Sequence, residues 1–82
     1  MPKISGMVVE QWTRRPVVGA VVKIINFTAL TDQLGRFSIE TPRGVVQMRV
    51  THRDFHPYVK SLEVLMAGDV GIIPLTSKVV AL

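Results

Sequence analysis

The sequence predicts an all-β fold, either a sandwich or a barrel, for a chain of 82 residues. Turn-forming residues recur about every 8–12 positions, which is the spacing of short antiparallel strands. Between those turns, valine, isoleucine and leucine alternate with polar residues, as strands with one buried face require. No stretch shows the apolar period of a helix flanked by capping residues. We therefore expect one small domain of seven short strands.

The clearest local signal is a hairpin over residues 30–39. Asp32 can bond its own backbone at the start of a turn, and Gly35 can adopt the positive φ needed at its end. Phe37 and Ile39 then share one face of the following strand. The hairpin therefore predicts a strand whose apolar face enters the core.

The same alternation predicts the other strands. We predict strands over residues 3–11, 20–25, 29–31, 36–40, 45–51, 58–66 and 70–75. Met66 is expected on the inward face of the sixth strand. A break is expected at residues 26–28, and a longer connection at residues 52–57. Pro74 predicts a sheet edge or strand end, because proline cannot donate to the ladder. The domain is expected to span residues 1–76, followed by an apolar tail, residues 77–82.

Composition and charge limit the classes of function. Ten Lys and Arg against six Asp and Glu give a net charge of +4, which suits an acidic partner or nucleic acid. The absence of cysteine excludes disulfides and thiolate zinc sites. The chain has a single Asn and no Cys, and such scarcity of thermolabile residues is typical of proteins from hot habitats. No transmembrane helix or secretory signal is predicted. We expect a cytoplasmic location, or an extracellular one if the chain is part of a larger or exported product.

Four short motifs resemble one known family. They are Ile4-x-Gly6-x-Val8, Pro16-x-x-Gly19-Ala20-x-Val22, Thr31-Asp32-x-x-Gly35-Arg36-Phe37 and Pro42-x-Gly44. Their order over residues 4–75 resembles the carboxypeptidase regulatory-like domain family. The resemblance implies a prealbumin-like, seven-stranded Greek-key β-sandwich that serves as an accessory or partner-binding module without shared catalytic residues. Asp54 stands where the family commonly has glycine; because Asp tolerates left-handed φ, we expect the turn to form.

Signals for catalysis and metal binding are weak. His52, Asp54 and His56 have metal-ligand side chains, but in a loop their spacing has no geometric meaning. The serines lack a Gly-x-Ser-x-Gly elbow, and a carboxylate pair with Asp32 conflicts with the turn role of that residue. A hydrolase resembling the transthyretin-like enzymes is a distant alternative, since their Tyr-Arg-Gly-Ser ending is absent. We predict no enzyme, cofactor, metal or small-molecule substrate, and we interpret the sequon at Asn26 as coincidental.

One candidate binding surface is a basic cluster. If strands alternate up and down, three connections lie together at one end of the domain. We call that end the basic end; its residues are Trp12, Arg14, Arg15, Arg36 and Arg53. Arginine forks bind phosphates and planar groups stack on bases, so this cluster predicts contact with RNA or DNA. The alternative interpretation is solvated loops, with Trp12 packed on the core.

The second candidate surface is apolar. It consists of outward-facing strand residues and the tail: Met7, Val9, Val21, Ile25, Val45, Val79, Val80 and Leu82. So many outward apolar side chains favour a covered surface, and the tail is suited to an exposed strand edge. The sequence therefore predicts a non-catalytic structural or protein-interaction module with a protein partner or homo-oligomer. The runner-up is a small basic accessory protein of a nucleoprotein assembly.

Overall fold

The computed structural model describes residues 1–78, which form seven strands in two packed sheets. The strands are β1 Lys3–Glu10, β2 Val21–Ile24, β3 Phe27–Leu30, β4 Arg36–Glu40, β5 Gly44–His52, β6 Phe55–Val64 and β7 Gly68–Leu75. A three-stranded sheet has the order β4-β1-β7, and a four-stranded sheet has the order β3-β2-β5-β6. The all-β sandwich prediction is confirmed. This part of the chain contains no helix long and apolar enough to cross a membrane.

The core lies between the sheets and is made from inward side chains of β1, β2, β4, β5, β6 and β7, together with Val17 and Ala20 of the β1–β2 connection. Its members are Ile4, Val8, Val17, Ala20, Val22, Ile24, Phe37, Ile39, Val46, Met48, Val50, Val64, Ile73 and Leu75. Full burial of each large aliphatic side chain contributes roughly 1.5–3 kcal/mol relative to exposure. Gly6 makes room for Phe37, since a Cβ at Gly6 would lie 2.8 Å from its ring. The period-2 pattern therefore predicted the buried face of β1, β2, β4 and β5.

Successive strands run in opposite directions, which gathers three connections at one end. β4 runs antiparallel and β7 parallel to β1, while neighbours in the four-stranded sheet are all antiparallel. The connections at residues 11–20, 31–35 and 53–54 therefore share an end. Backbone bonds join the first two, because Gly19 donates to the carbonyl of Thr31 and Thr31 donates to that of Ala20.

The turn at residues 31–35 forms as predicted, but the predicted hairpin is wrong. Asp32 Oδ1 accepts bonds of 2.9 Å from the N–H groups of Leu34 and Arg36. The strands on either side belong to different sheets, so the turn carries the chain across the edge of the sandwich. Thr31 fixes this crossing: its buried hydroxyl donates to the Val17 carbonyl at 2.6 Å and accepts from the Ala20 N–H at 2.9 Å.

Two predicted connections are shorter than expected. The predicted break at residues 26–28 is wrong, because Ile24 pairs with Phe27 and leaves a two-residue turn, Ile25 and Asn26. Ile25 makes this turn with a φ of 56°, a conformation that a β-branched residue rarely adopts. The predicted long connection at residues 52–57 is also wrong, since β6 already begins at Phe55.

The start of β6 is held by backbone partners from the end of the described chain. His56 donates to the Thr76 carbonyl at 2.8 Å, and Lys78 donates to the Asp54 carbonyl at 2.9 Å. Asp54 does not adopt the expected positive φ; its N–H bonds to His52 Nδ1 at 3.1 Å instead. At its other end β6 stops at Val64, so the inward position predicted for Met66 is wrong: Met66 is 75% exposed.

A pair of glycine substitutions tests how tightly the crossing turn is packed. Gly35 and Gly19 have nearly equal φ values, 75° and 76°, but a Cβ at Gly35 would lie 2.5 Å from the Val8 carbonyl oxygen, whereas a Cβ at Gly19 meets nothing within 4 Å. We expect Gly19→Ala to lower the free energy of unfolding by about 1–2 kcal/mol, the cost of left-handed backbone. We expect Gly35→Ala to cost a further ~1–3 kcal/mol from the clash. Equal urea midpoints for the two variants would contradict this packing.

Candidate functional site

The loop that carries Trp12 is held by the carboxylate of Glu10. Glu10 Oε2 accepts the N–H groups of Trp12 at 2.9 Å and Thr13 at 2.5 Å, and the Glu10 carbonyl accepts that of Arg14 at 3.0 Å. The Thr13 N–H is the largest cause of a pKa for Glu10 below its ordinary value. Trp12 is 80% exposed, so it is not packed on the core.

The four arginines of the basic end are exposed and come from three different segments of the chain. Arg14 and Arg15 lie on the β1–β2 connection, while Arg36 lies at the start of β4 beside Met7. Arg53 lies on the β5–β6 turn with its guanidinium 3.9 Å from the Asp54 carboxylate. The topology thus brings all five predicted residues to one end of the sandwich but spreads them over both sheets.

A shallow groove of about 710 Å³ lies where β5 ends and β6 begins. Its walls are Val18, Gly19, Val21, Thr51, His52, Arg53, Asp54, Phe55, Pro57 and Lys78. Phe55 and Pro57 make part of the groove wall apolar. Phe55 also packs against the core, and Pro57 is exposed. Sequence reasoning missed this groove because it treated residues 52–57 as a loop.

His52 fixes one wall of the groove and uses both ring nitrogens to do so. Nε2 lies 3.1 Å from the Val18 carbonyl oxygen, and Nδ1 accepts the Asp54 N–H. The tautomer with its hydrogen on Nε2 satisfies both bonds. The ring also meets Phe55 edge-on, with centroids 5.3 Å apart. No group of three metal-ligating side chains exists within residues 1–78, and the contacts of His52 are those of a structural residue.

The outer face of the four-stranded sheet exposes apolar side chains from all four strands. Leu30 of β3 is 67% exposed, Val45 of β5 78% and Val59 of β6 46%; Val21 of β2 is half-buried. Val21 lies opposite Leu30 on one side and Thr51 on the other, so this row leads into the groove. The face and groove therefore form one continuous surface, which we call the sheet-groove surface.

The predicted apolar surface is only partly assembled. Val21, Ile25 and Val45 share the sheet-groove surface, whereas Met7 lies half-buried on the other sheet. Val9 is a correction: it is 3% exposed, because prolines at positions 16 and 74 are its partners on both sides. Val79, Val80 and Leu82 lie outside the described residues. Leu30 and Val59 were missed, since their exposure depends on strand limits that the sequence did not define.

Known proteins support the same architecture. The sequence model of the carboxypeptidase regulatory-like domain matches residues 3–75. No curated protein gives a significant match. This chain is similar to chains in two solved structures. They are an N-terminal interface mutant and a C-terminal interface mutant of the type II Cohesin-X-Dockerin complex from Acetivibrio cellulolyticus. Each of those chains is 20% identical in sequence to this one, with a TM-score of 0.75. Each match covers 93% of this chain and 56% of the other chain. This chain thus spans just over half the length of those chains, and the likeness shows the fold.

The carboxylate of Glu10 predicts a specific pH dependence. A lowered pKa means that its bonds stabilise the fold while it is ionised, above the ordinary value of about 4.3, and that this contribution is lost as pH falls through the folded pKa. We expect Glu10→Gln to lower the urea midpoint at neutral pH and to flatten the loss of stability in acid. Glu40→Gln is the control, because the Glu40 carboxylate makes no hydrogen bond within residues 1–78. Identical acid profiles for Glu10→Gln and the unsubstituted protein would refute this role.

Proposed function

The chain belongs to the carboxypeptidase regulatory-like domain family, and on that premise we propose that it is a non-catalytic protein-interaction module. Its partner binds the sheet-groove surface. The observation that carries this proposal is the exposure of Leu30, Val45 and Val59 on one face of one sheet. Scattered apolar side chains are ordinary on protein surfaces, but a shared face beside a groove is typical of a binding site.

The energetics favour burial of this face by a partner. Apolar area removed from water contributes roughly 25 cal/mol per Å². The groove adds a concave end in which a partner side chain can contact Phe55 and Pro57, and such pockets are where interfaces concentrate their binding energy. His52 supports a binding role rather than catalysis, because both of its ring nitrogens already have backbone partners.

Two of the four edge strands, β6 and β7, are poorly suited to the same task. β6 carries Lys60 at an inward position, opposite buried Met48, and yet Lys60 is exposed. An inward-pointing lysine on an edge strand opposes the addition of another strand. β7 is the edge of the other sheet and contains Pro74, which has no N–H to donate. A partner is therefore expected on the face rather than along the β6 or β7 edge.

Site-specific photo-crosslinking tests this proposal. A benzophenone amino acid at Val45 is expected to give a discrete protein adduct in native extract, because the side chain lies on the proposed contact face. The same group at Ser38, exposed on the outer face of the three-stranded sheet, is the matched control. An adduct of twice the chain mass would identify a second copy as the partner. The same adducts from both positions, or none from Val45, would refute the proposal.

A second candidate function is nucleic-acid binding at the basic end, favoured by the 80% exposure of Trp12. An exposed indole among arginines can stack on an unpaired base while the guanidinium groups bind phosphates. The basic end shares only Arg53 with the sheet-groove surface. Substitutions at Trp12, Arg14 and Arg15 therefore separate the two candidates.

Salt dependence tests the second candidate. Single-stranded RNA is expected to bind at low salt and to be released as salt rises. Arg14→Gln with Arg15→Gln is expected to reduce the slope of log affinity against log salt by about 1.4, for two lost phosphate contacts. Lys3→Gln with Arg43→Gln is the control, because it removes the same charge from the opposite end of the domain. Absence of binding at low salt would refute this candidate.

A further inference from the structure

Two cations lie side by side on the sheet-groove surface without an acidic partner. Lys23 of β2 is directly opposite Arg49 of β5 in the antiparallel register. Like charges in directly opposite positions destabilise a sheet. Within residues 1–78 neither side chain has a carboxylate at ion-pair distance. The pair therefore opposes folding slightly in the free domain.

The surroundings of the pair form a small site. Lys23, Ile25, Gln47 and Arg49 line a cavity of about 320 Å³. The nearest acidic side chain on this face, Glu63, is opposite Val45, and is roughly 13 Å along β6 from the position facing Arg49. The cavity thus presents two positive groups and an amide with no internal negative charge.

Ile25 adds an apolar rim at a conformational cost. Its φ of 56° belongs to the left-handed region, where Gly or Asn would be unstrained, and the residue is 53% exposed. Burial does not explain the isoleucine at this turn. Strained, exposed residues at a cavity are typical of functional positions.

We propose that Lys23 and Arg49 bind a carboxylate of an acidic, extended segment of the partner protein. Ile25 and Val59, which lie beside the cations, contact the apolar residues that flank the acidic one. This site rests on the proposed function and defines the chemistry of the partner. Charge complementarity selects an acidic occupant. None of the four side chains that line this cavity is aromatic, so the cavity has no ring on which a base could stack, and a protein segment fits better than nucleic acid.

Peptide binding tests the carboxylate site. The probe is a fluorescent ten-residue peptide of alternating Glu and Val, compared with one of alternating Gln and Val. We expect Lys23→Gln with Arg49→Gln to weaken binding of the acidic peptide at least tenfold at low salt. Lys3→Gln with Arg36→Gln removes the same charge from the other sheet and is expected to leave the affinity within twofold. The first double variant is also expected to unfold at a higher temperature, because it removes the repulsion, so weak binding would not reflect unfolding.

Three results of the binding assay would overturn the carboxylate site. They are equal weakening by both double variants, equal binding of the two peptides, and tighter binding of single-stranded DNA that is lost in Lys23→Gln with Arg49→Gln. A Val45 cross-link that persists unchanged in that double variant would also overturn this site but leave the proposed function intact. Absence of the Val45 cross-link in the unsubstituted protein would refute the proposed function itself.

Discussion

The buried hydroxyl of Thr31 is the contact on which both the sandwich and its candidate surface depend. It satisfies the Val17 carbonyl and the Ala20 N–H, two groups that would otherwise be buried without a partner at a cost of about 1–3 kcal/mol each. The bonds hold the β1–β2 connection against the crossing turn. Val18 and Gly19, between the two bonded positions, line the groove. The contact that joins the sheets thus also shapes one wall of the groove.

The sequence was sufficient for local structure but not for the assignment of strands to sheets. The period-2 alternation identified β4 with its correct limits and the buried face of four strands. The turn at Asp32 was also identified, because its hydrogen bonds are local. The same turn chemistry serves a hairpin or a crossing between sheets, and only the distant contacts of Thr31 decide between them. Ile25 gave no turn signal, since β-branched residues avoid the conformation it adopts.

The alternation of inward and outward positions along a strand predicted the exposure of individual surface residues only where no other segment of the chain covers them. Val21 and Val45 were placed on an outward face correctly, whereas Val9 has outward parity but is covered by the segments that flank it. The Lys23–Arg49 pair could not be foreseen, because it exists only through the register of two strands far apart in the sequence. Long-range register is thus the information that the sequence pattern lacked.

The lysine on the inward face of the β6 edge has a consequence for how this domain can assemble. Strand addition at an edge recreates an edge, so such growth is open-ended and leads to fibres. The Lys60 ammonium opposes that growth at the β6 edge of one sheet, and Pro74 interrupts it at the β7 edge of the other. A face that is covered once is no longer available to another molecule. Association through the sheet face therefore ends at a fixed stoichiometry, even where many copies of the domain are crowded together.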